Sequence, residues 1–325
     1  MIRSKGIKLW IILFLIFLSF SCEEKKVFDI LPVFEITKDL SIDTQQDIIE
    51  ITIFKNGTGY ALTDAYSYYK TIDFGTTWIE KDIFNSDFTQ LQFFNETNGI
   101  CIVNTTAYVT IDGGNHWTKM ATESYANVSA IDFSETGDIY IAIREHGLGR
   151  NTYPVYKSTD MGESFIFIAQ TYNSPTTQLS EIRVTDSLLY FLFIGSDKEL
   201  ISIDIEGYAS PQTTLFSIIG DVYRLNIYSD GYCAFTGNGI MSSYRYPDRN
   251  NIYQKDVVFD DDVAVFVGRK TVKTNLDIGN DSSWNEVCDA NGNPFNHNFL
   301  DIDLISSGSY YISGDNGLIW EVKLF

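Results

Sequence analysis

Short runs in which apolar residues alternate with polar ones recur along this chain, separated by clusters of Gly, Asn and Asp. Period-two alternation marks a strand with one buried face, and the punctuating residues are those that make turns. The runs fall into seven units. Unit one passes from Ile48–Ile53 through Gly59–Leu62 to a turn at 71–78, and unit two from Leu91–Phe94 through Gly99–Val103 to a turn ending at Trp117. Unit three holds Ser129–Phe133 and Asp138–Ile143, then a long connection before a turn at 158–165. Unit four reads Glu181–Val184, Leu188–Ile194 and Leu200–Ile205; unit five has Tyr223–Ile227 and Gly231–Phe235. Unit six joins Val257–Phe259, Val263–Val267 and a degraded turn over Thr274–Asp277, Gly279 and Trp284. Unit seven contains Leu300–Leu304, Ser309–Ile312 and Leu318–Val322.

The first strands of the units lie near positions 51, 91, 130, 183, 225, 258 and 302, about 42 residues apart on average. That spacing suits a four-stranded propeller blade. The pattern therefore predicts an all-β chain, a seven-bladed β-propeller of four-stranded antiparallel blades. Unit seven ends after its third strand, while Val33–Lys38 is a strand-like run with no unit of its own. It is expected to supply the missing fourth strand, covering a bare edge and closing the ring. No linker interrupts the chain, so residues 33–325 are read as one domain.

Three turns share one pattern. Thr71-Ile-Asp-Phe-Gly-Thr-Thr-Trp78, Thr110-Ile-Asp-Gly-Gly-Asn-His-Trp117 and Ser158-Thr-Asp-Met-Gly-Glu-Ser-Phe165 all read (S/T)-x-D-x-G-x-(T/S/H)-(W/F). The Asp carboxylate can accept backbone N–H groups of the turn, and the Gly can adopt the positive φ that closes it. The terminal aromatic is large enough to pack between neighbouring units. This constellation predicts structural roles for Asp73, Gly75, Trp78, Asp112, Gly114, Trp117, Asp160, Gly162 and Phe165.

The N-terminus does not fit the fold. Arg3, Lys5 and Lys8 precede ten apolar residues, Leu9–Leu18, too short a run to span a bilayer and suited to a signal peptide. Ser19-Phe-Ser21 then leads into Cys22. Cysteine usage is sparse beyond that: Cys101 and Cys233 sit in apolar strand patterns and, with Cys288, make an odd number. Buried thiols are the simpler reading, one disulfide is open, and no metal-ligand spacing appears. The formal charge is −20, and loss of the three basic leader residues makes it −23. Such a chain is a poor match for nucleic acid, which needs a basic face.

The small residues before Cys22 resemble a bacterial lipobox. The resemblance implies cleavage after Ser21, lipidation of Cys22 and a tether over 22–32, with residues 1–21 as lipoprotein signal peptide; the alternative is an ordinary signal peptide with an incidental Cys. Glu23-Glu24-Lys25-Lys26 resembles the surface-export signal of lipoproteins in the Bacteroidetes lineage. It implies an outer-membrane lipoprotein of the cell envelope, surface-exposed or periplasm-facing. The three turns resemble Asp-boxes (BNR repeats). Their framing, with Gly99 before Val109–Trp117 and Gly231, Gly239, Gly314 and Gly317 later, is similar to propellers of the photosystem II assembly factor family. Asp-boxes also occur in sialidases, some endoglucanases and sortilin-like receptors, away from the ligand in every case.

Positive signs of catalysis are lacking. Sialidases need an Arg-Ile-Pro strand and three converging arginines. The chain after the leader has seven Arg, the N-terminal strand reads Leu31-Pro-Val-Phe, and only Arg183 and Arg224 fall in first strands. His116, His146 and His297 show no metal or triad spacing, and no cofactor motif is present. What remains is a rim of loops. The connection Arg144–Pro154 in unit three is expected to be a loop projecting Arg144, His146, Arg150 and Tyr153, suited to a carboxylate or anionic sugar. Asp197, Lys198, Asn238, Arg269, Lys270, Asp315 and Asn316 join that rim in shorter turns. The sequence thus predicts a monomeric, lipid-anchored, non-catalytic scaffold for an envelope protein; the alternative is a glycan-binding or glycan-hydrolysing lipoprotein.

Overall fold

A computed structural model describes residues 33–325 except 66, 82–87, 123–126, 148, 175, 186, 196–198, 206–212, 218–220, 228–232, 239–240, 243–246, 249–252, 261–262 and 276–283. Over 213–255 it gives the backbone path of the strands, with Leu225 alone placed by its side chain. The leader, Cys22, Asp197, Lys198 and the degraded turn after Asn275 lie outside the described residues.

Units one to four each form their own antiparallel sheet in chain order. Unit one is Ile48–Ile53, Gly59–Thr63, Tyr68–Thr71 and Ile79–Lys81; unit two is Phe88–Phe93, Gly99–Val103, Thr106–Thr110 and Thr118–Lys119. Unit three is Val128–Phe133, Ile139–Ile143, Asn151–Ser158 and Ile166–Asn173, with a two-residue strand Glu145–His146 beside the third. Unit four is Thr177–Val184, Leu188–Gly195, Glu199–Asp204 and Thr213–Ser217. Units five and six depart from separate blades. Cys233–Asn238 pairs with Tyr253–Asp260 through Gly237↔Gln254 and Asn238↔Tyr253, which joins them in one six-stranded sheet. Unit seven consists of Phe299–Ser306, Ser309–Gly314 and Ile319–Leu324, and Val33–Asp39 runs antiparallel beside Ile319–Leu324. Phe34 faces Leu324 and Asp39 faces Trp320 in that pairing.

The first strand of every unit carries a register shift at the same place: Ile48/Glu50, Phe88/Gln90, Val128/Ala130, Leu179/Glu181, Val222/Arg224, Gln254/Asp256 and Phe299/Asp301. A bulge adds twist and re-aims the residues beyond it. The second strands need none. Gly59–Thr63 and Gly99–Val103 are buried along their whole length, because a neighbouring sheet covers each face. Apolar clusters fill the spaces between consecutive units, and a further one joins units seven and one through Ile48, Ile51, Ala61, Tyr311 and Ile319. Cys101 is a buried free thiol in that packing, its ionisation pushed up by burial, and Cys288 is also free.

Candidate functional site

The three repeated turns are closed hydrogen-bond cages. In unit one the Thr71 hydroxyl donates to Asp73 Oδ1 (2.8 Å) and accepts the N–H of Gly75 (3.0 Å), while Thr77 donates its N–H and hydroxyl to the Asp73 carboxylate at 2.8 and 2.7 Å. Unit three repeats this with Ser158, Gly162 and Ser164 around Asp160. In unit two the third partner is His116, whose N–H and Nδ1 lie 2.9 and 2.6 Å from the two oxygens of Asp112. Gly75, Gly114 and Gly162 all have φ near +80°, the region where a side chain would be strained. Each glycine also lies against the preceding unit: Gly114 meets the Tyr68 hydroxyl and Gly162 the side chain of Met120. The aromatic follows the same direction. Trp78 donates Nε1–H to the Leu40 carbonyl (3.0 Å), Trp117 lies against the cluster that holds Tyr60 and Tyr68 of unit one, and Phe165 lies against the cluster between units two and three.

Those hydrogen bonds fix the ionisation of the carboxylates. Donation by Ser164 and Ser158 brings Asp160 down to about 2. At Asp112 a desolvation effect works upward but is outweighed by the N–H and ring of His116 and by Thr110, again giving about 2.

The connection expected as a loop in unit three is mostly a β-hairpin. Glu145 and His146 pair with Thr152 and Asn151, Gly147 N–H donates to the Arg150 carbonyl (3.0 Å), and the strand from Asn151 runs on along Ile166–Asn173. The β-favouring run Thr152-Tyr-Pro-Val-Tyr156 extends the strand backwards and shortens the turn. The register places Arg144 opposite Tyr153 and His146 opposite Asn151, all on one face of the sheet. Tyr153 does not project over a rim. It is fully buried, its ring edge-on to Phe193 at 5.2 Å. Arg150 is exposed and its guanidinium sits over the Tyr172 ring at 4.6 Å.

The hairpin face has a hydrogen-bonding deficit. Arg144 Nε, Asn151 Nδ2 and Tyr153 Oη are all buried from solvent with no partner. Asn151, which the sequence reading passed over, is only 3% exposed, and its carbonyl oxygen is held by His146 Nδ1 at 3.2 Å. Its signal lay in pairing register, not in local composition.

Four other rim residues are brought together. Lys270 N–H donates to the His297 carbonyl (3.0 Å), Arg269 bridges Asn298, and Asn298 donates N–H and Nδ2–H to Asp315 Oδ2 at 3.3 and 3.1 Å. Asn316 donates its N–H to Asp47 (3.1 Å), so this corner ties units six, seven and one. Asn238 is described by backbone alone, opposite Asp221 and Tyr253. Among the described contacts nothing joins this corner to the hairpin of unit three.

The first strands hold the remaining ionisable groups. Just past four of the seven bulges a side chain accepts an edge N–H from the next unit: Gln90 from Ile131 (2.9 Å), Glu181 from Leu225 (2.8 Å), Asp256 from Ile302 (3.2 Å) and Asp301 from Ile51 (2.7 Å). Ala130 occupies that position in unit three and cannot accept, so Asp132, two residues on, takes the N–H of Val184 at 2.9 Å. Arg183 is held between Glu181 and Asp132. Its guanidinium is thus engaged by the protein's own carboxylates. Burial raises the ionisation of Asp132, and at Asp303 desolvation, and then the charges of Asp256 and Glu50, push the carboxyl to about 7 against the pull of the Leu304 N–H. Among the described residues no three His, Cys, Asp or Glu side chains are grouped to hold a metal.

No family model and no curated protein matches the chain. Solved structures do. YCF48 bound to a D1 peptide is similar at 15% identity and a TM-score of 0.61, over 87% of this chain and 94% of that one. YCF48 from Cyanidioschyzon merolae is similar at 13% identity and 0.61 (90% and 98%), and the Pan2 WD40 domain of Neurospora crassa at 11% and 0.59 (86% and 89%). These likenesses show the fold: the chain is all-β, built of antiparallel sheets of mainly four strands, and is a β-propeller.

Proposed function

We propose that this chain is a non-catalytic binding scaffold of the cell envelope that holds a protein partner at the unit-three hairpin. In this reading seven blades close into a ring through Val33–Asp39, three Asp-boxes brace the outer turns, and a lipid on Cys22 anchors the propeller to the outer membrane. The observation that carries the binding role is the pair of unanswered donors at the hairpin, Arg144 Nε and Asn151 Nδ2. Buried donors without acceptors are costly and uncommon, and a peptide carbonyl or carboxylate reaching this face supplies what they lack. That a propeller of the same fold has been solved bound to a peptide lends the reading support.

The test places a photoreactive phenylalanine at position 150 of the full lipoprotein in its own cells. Irradiation should cross-link one protein, and Arg144→Ala or Asn151→Ala should cut the yield several-fold while Tm changes by only a few degrees. Equal yield from both variants, or adducts that only glycosidases remove, would overturn the proposal. Cys22→Ser should release the protein from the membrane fraction and abolish fatty-acid labelling.

A further inference from the structure

A second recognition site is written into a difference between two otherwise matching units. Gly59 pairs with Thr71 in unit one as Ile139 pairs with Ser158 in unit three, so Lys70 and Lys157 occupy equivalent positions. Each ammonium lies over an equivalent tyrosine, Tyr60 at 5.6 Å and Tyr140 at 5.5 Å. In unit three the charge is matched: Lys157 Nζ is 2.7 Å from Asp138. Unit one has Thr58 where unit three has Asp138. Lys70 instead spends one donor on the Gly113 carbonyl (2.7 Å) and keeps two without a carboxylate. Burial and then the neighbouring charge of Lys81 pull its ionisation down, with Asp112 opposing. That carboxylate is already committed to Thr110 and His116.

Lys70 and Lys81 border a cleft of about 180 Å³, lined also by Ile72, Thr77, Ile79 and Asn115. Its floor is the outer face of the unit-one sheet, where Lys70 stands opposite Ile79. Among the described residues that face is left open beyond the short fourth strand of unit two, Thr118–Lys119. Ile72 and Ile79 are 71% and 60% exposed. Among the described residues Ile79–Lys81 is paired on one side only, which leaves an edge able to accept another strand. Among the described residues of a chain of net charge −20, two lysines and two isoleucines are thus left unmatched at one open strand edge.

We infer that this cleft binds an extended acidic peptide segment of a partner protein, with a carboxylate between Lys70 and Lys81 and an aliphatic side chain over Ile72 and Ile79. Charge complementarity selects the acidic residue, and the edge Ile79–Lys81 selects an extended backbone. The site is separate from the unit-three hairpin and does not depend on it.

The test uses the mature chain and a fluorescent peptide alternating glutamate and valine, with a glutamine–valine peptide as control, read by anisotropy. Saturable binding of the acidic peptide is expected, falling steeply with salt and absent for the control. Lys81→Glu should weaken it at least ten-fold. Thr58→Asp, which gives Lys70 the internal partner that Lys157 already has, should weaken it similarly and leave the fold intact. Carbodiimide coupling should join the peptide to Lys81 and not to Lys157. Equal binding of the two peptides, or affinities unchanged in both variants, would overturn the inference. Arg144→Ala should leave this binding untouched, so failure here and failure of the hairpin site are told apart.

Discussion

Thr71 and Ser158 show how much one hydroxyl can do in this protein. Each is buried, donates to the turn carboxylate and accepts the N–H groups of the Asp and the Gly. Thr71→Val keeps the volume but leaves those donors unanswered, and should cost about 2–3 kcal/mol, measured by urea denaturation. Ionisation divides the carboxylates into two groups with opposite pH behaviour. Asp112 and Asp160 are held near 2 in the folded chain. They contribute stability above the ordinary carboxylate range, and it is lost as pH falls through their folded values. Asp303 is the reverse. Its folded value of about 7 means that the native state binds the extra proton between roughly pH 4 and 7, so stability falls as pH rises across that window. Asp303→Asn should flatten the decline of Tm between pH 4 and 7 and raise Tm above pH 7. An unchanged profile would show that Asp303 does not hold the proton.

At the scale of the element, the first strand of every unit but the sixth ends its sheet and, among the described residues, leaves one edge unpaired by strands. The bulge and the side chain after it answer that exposure: Gln90, Glu181, Asp256 and Asp301 each cover an N–H of the next unit. Glu181 has a second duty, because it also holds Arg183. Glu181→Ala should therefore cost more than a single hydrogen bond, about 3–4 kcal/mol, through an orphaned Leu225 N–H and a guanidinium missing one carboxylate. Faster hydrogen exchange at Leu225, with Glu181→Gln closer to wild type, would identify the mechanism. The strands themselves were legible in apolar alternation, and the turns in their Thr/Ser, Asp and Gly spacing. The bulges were not, because a one-residue register shift leaves the local pattern unaltered. The hairpin in unit three was missed because Arg144-Glu-His-Gly-Leu-Gly-Arg reads as polar loop, although the pairing continues to His146 and Asn151. Tyr153 was misplaced for the same reason, since its burial against Phe193 depends on the neighbouring sheet. The unmatched state of Lys70 becomes visible only once the units are superposed strand by strand, with Thr58 set against Asp138.

At the scale of the whole molecule, the first described strand lies beside the last. Phe34 is 1% exposed, packs on Tyr310 at 5.9 Å and belongs to the cluster that holds Phe299, Ile302 and Val322. Leu40 extends the tie, donating its N–H to the Ile319 carbonyl (2.8 Å) and accepting Trp78 Nε1–H, so one segment near residue 40 links unit seven to the turn of unit one. Residues almost 300 positions apart therefore share one sheet, as Phe34↔Leu324 shows. An open array of repeats can fray unit by unit; a closed ring must break this contact or another like it before any unit separates. Phe34→Ala removes a fully buried ring from the joint and should cost about 3–5 kcal/mol. Its effect on mechanism is more telling than its size. If the ring is closed here, wild type should unfold in one transition, and the variant should lose protection first along Ile319–Leu324 and Ile48–Ile53, on the two sides of the joint. Hydrogen exchange followed by mass spectrometry reads both segments. Uniform loss of protection across all units would mean that the N-terminal strand adds only local packing and that closure lies elsewhere.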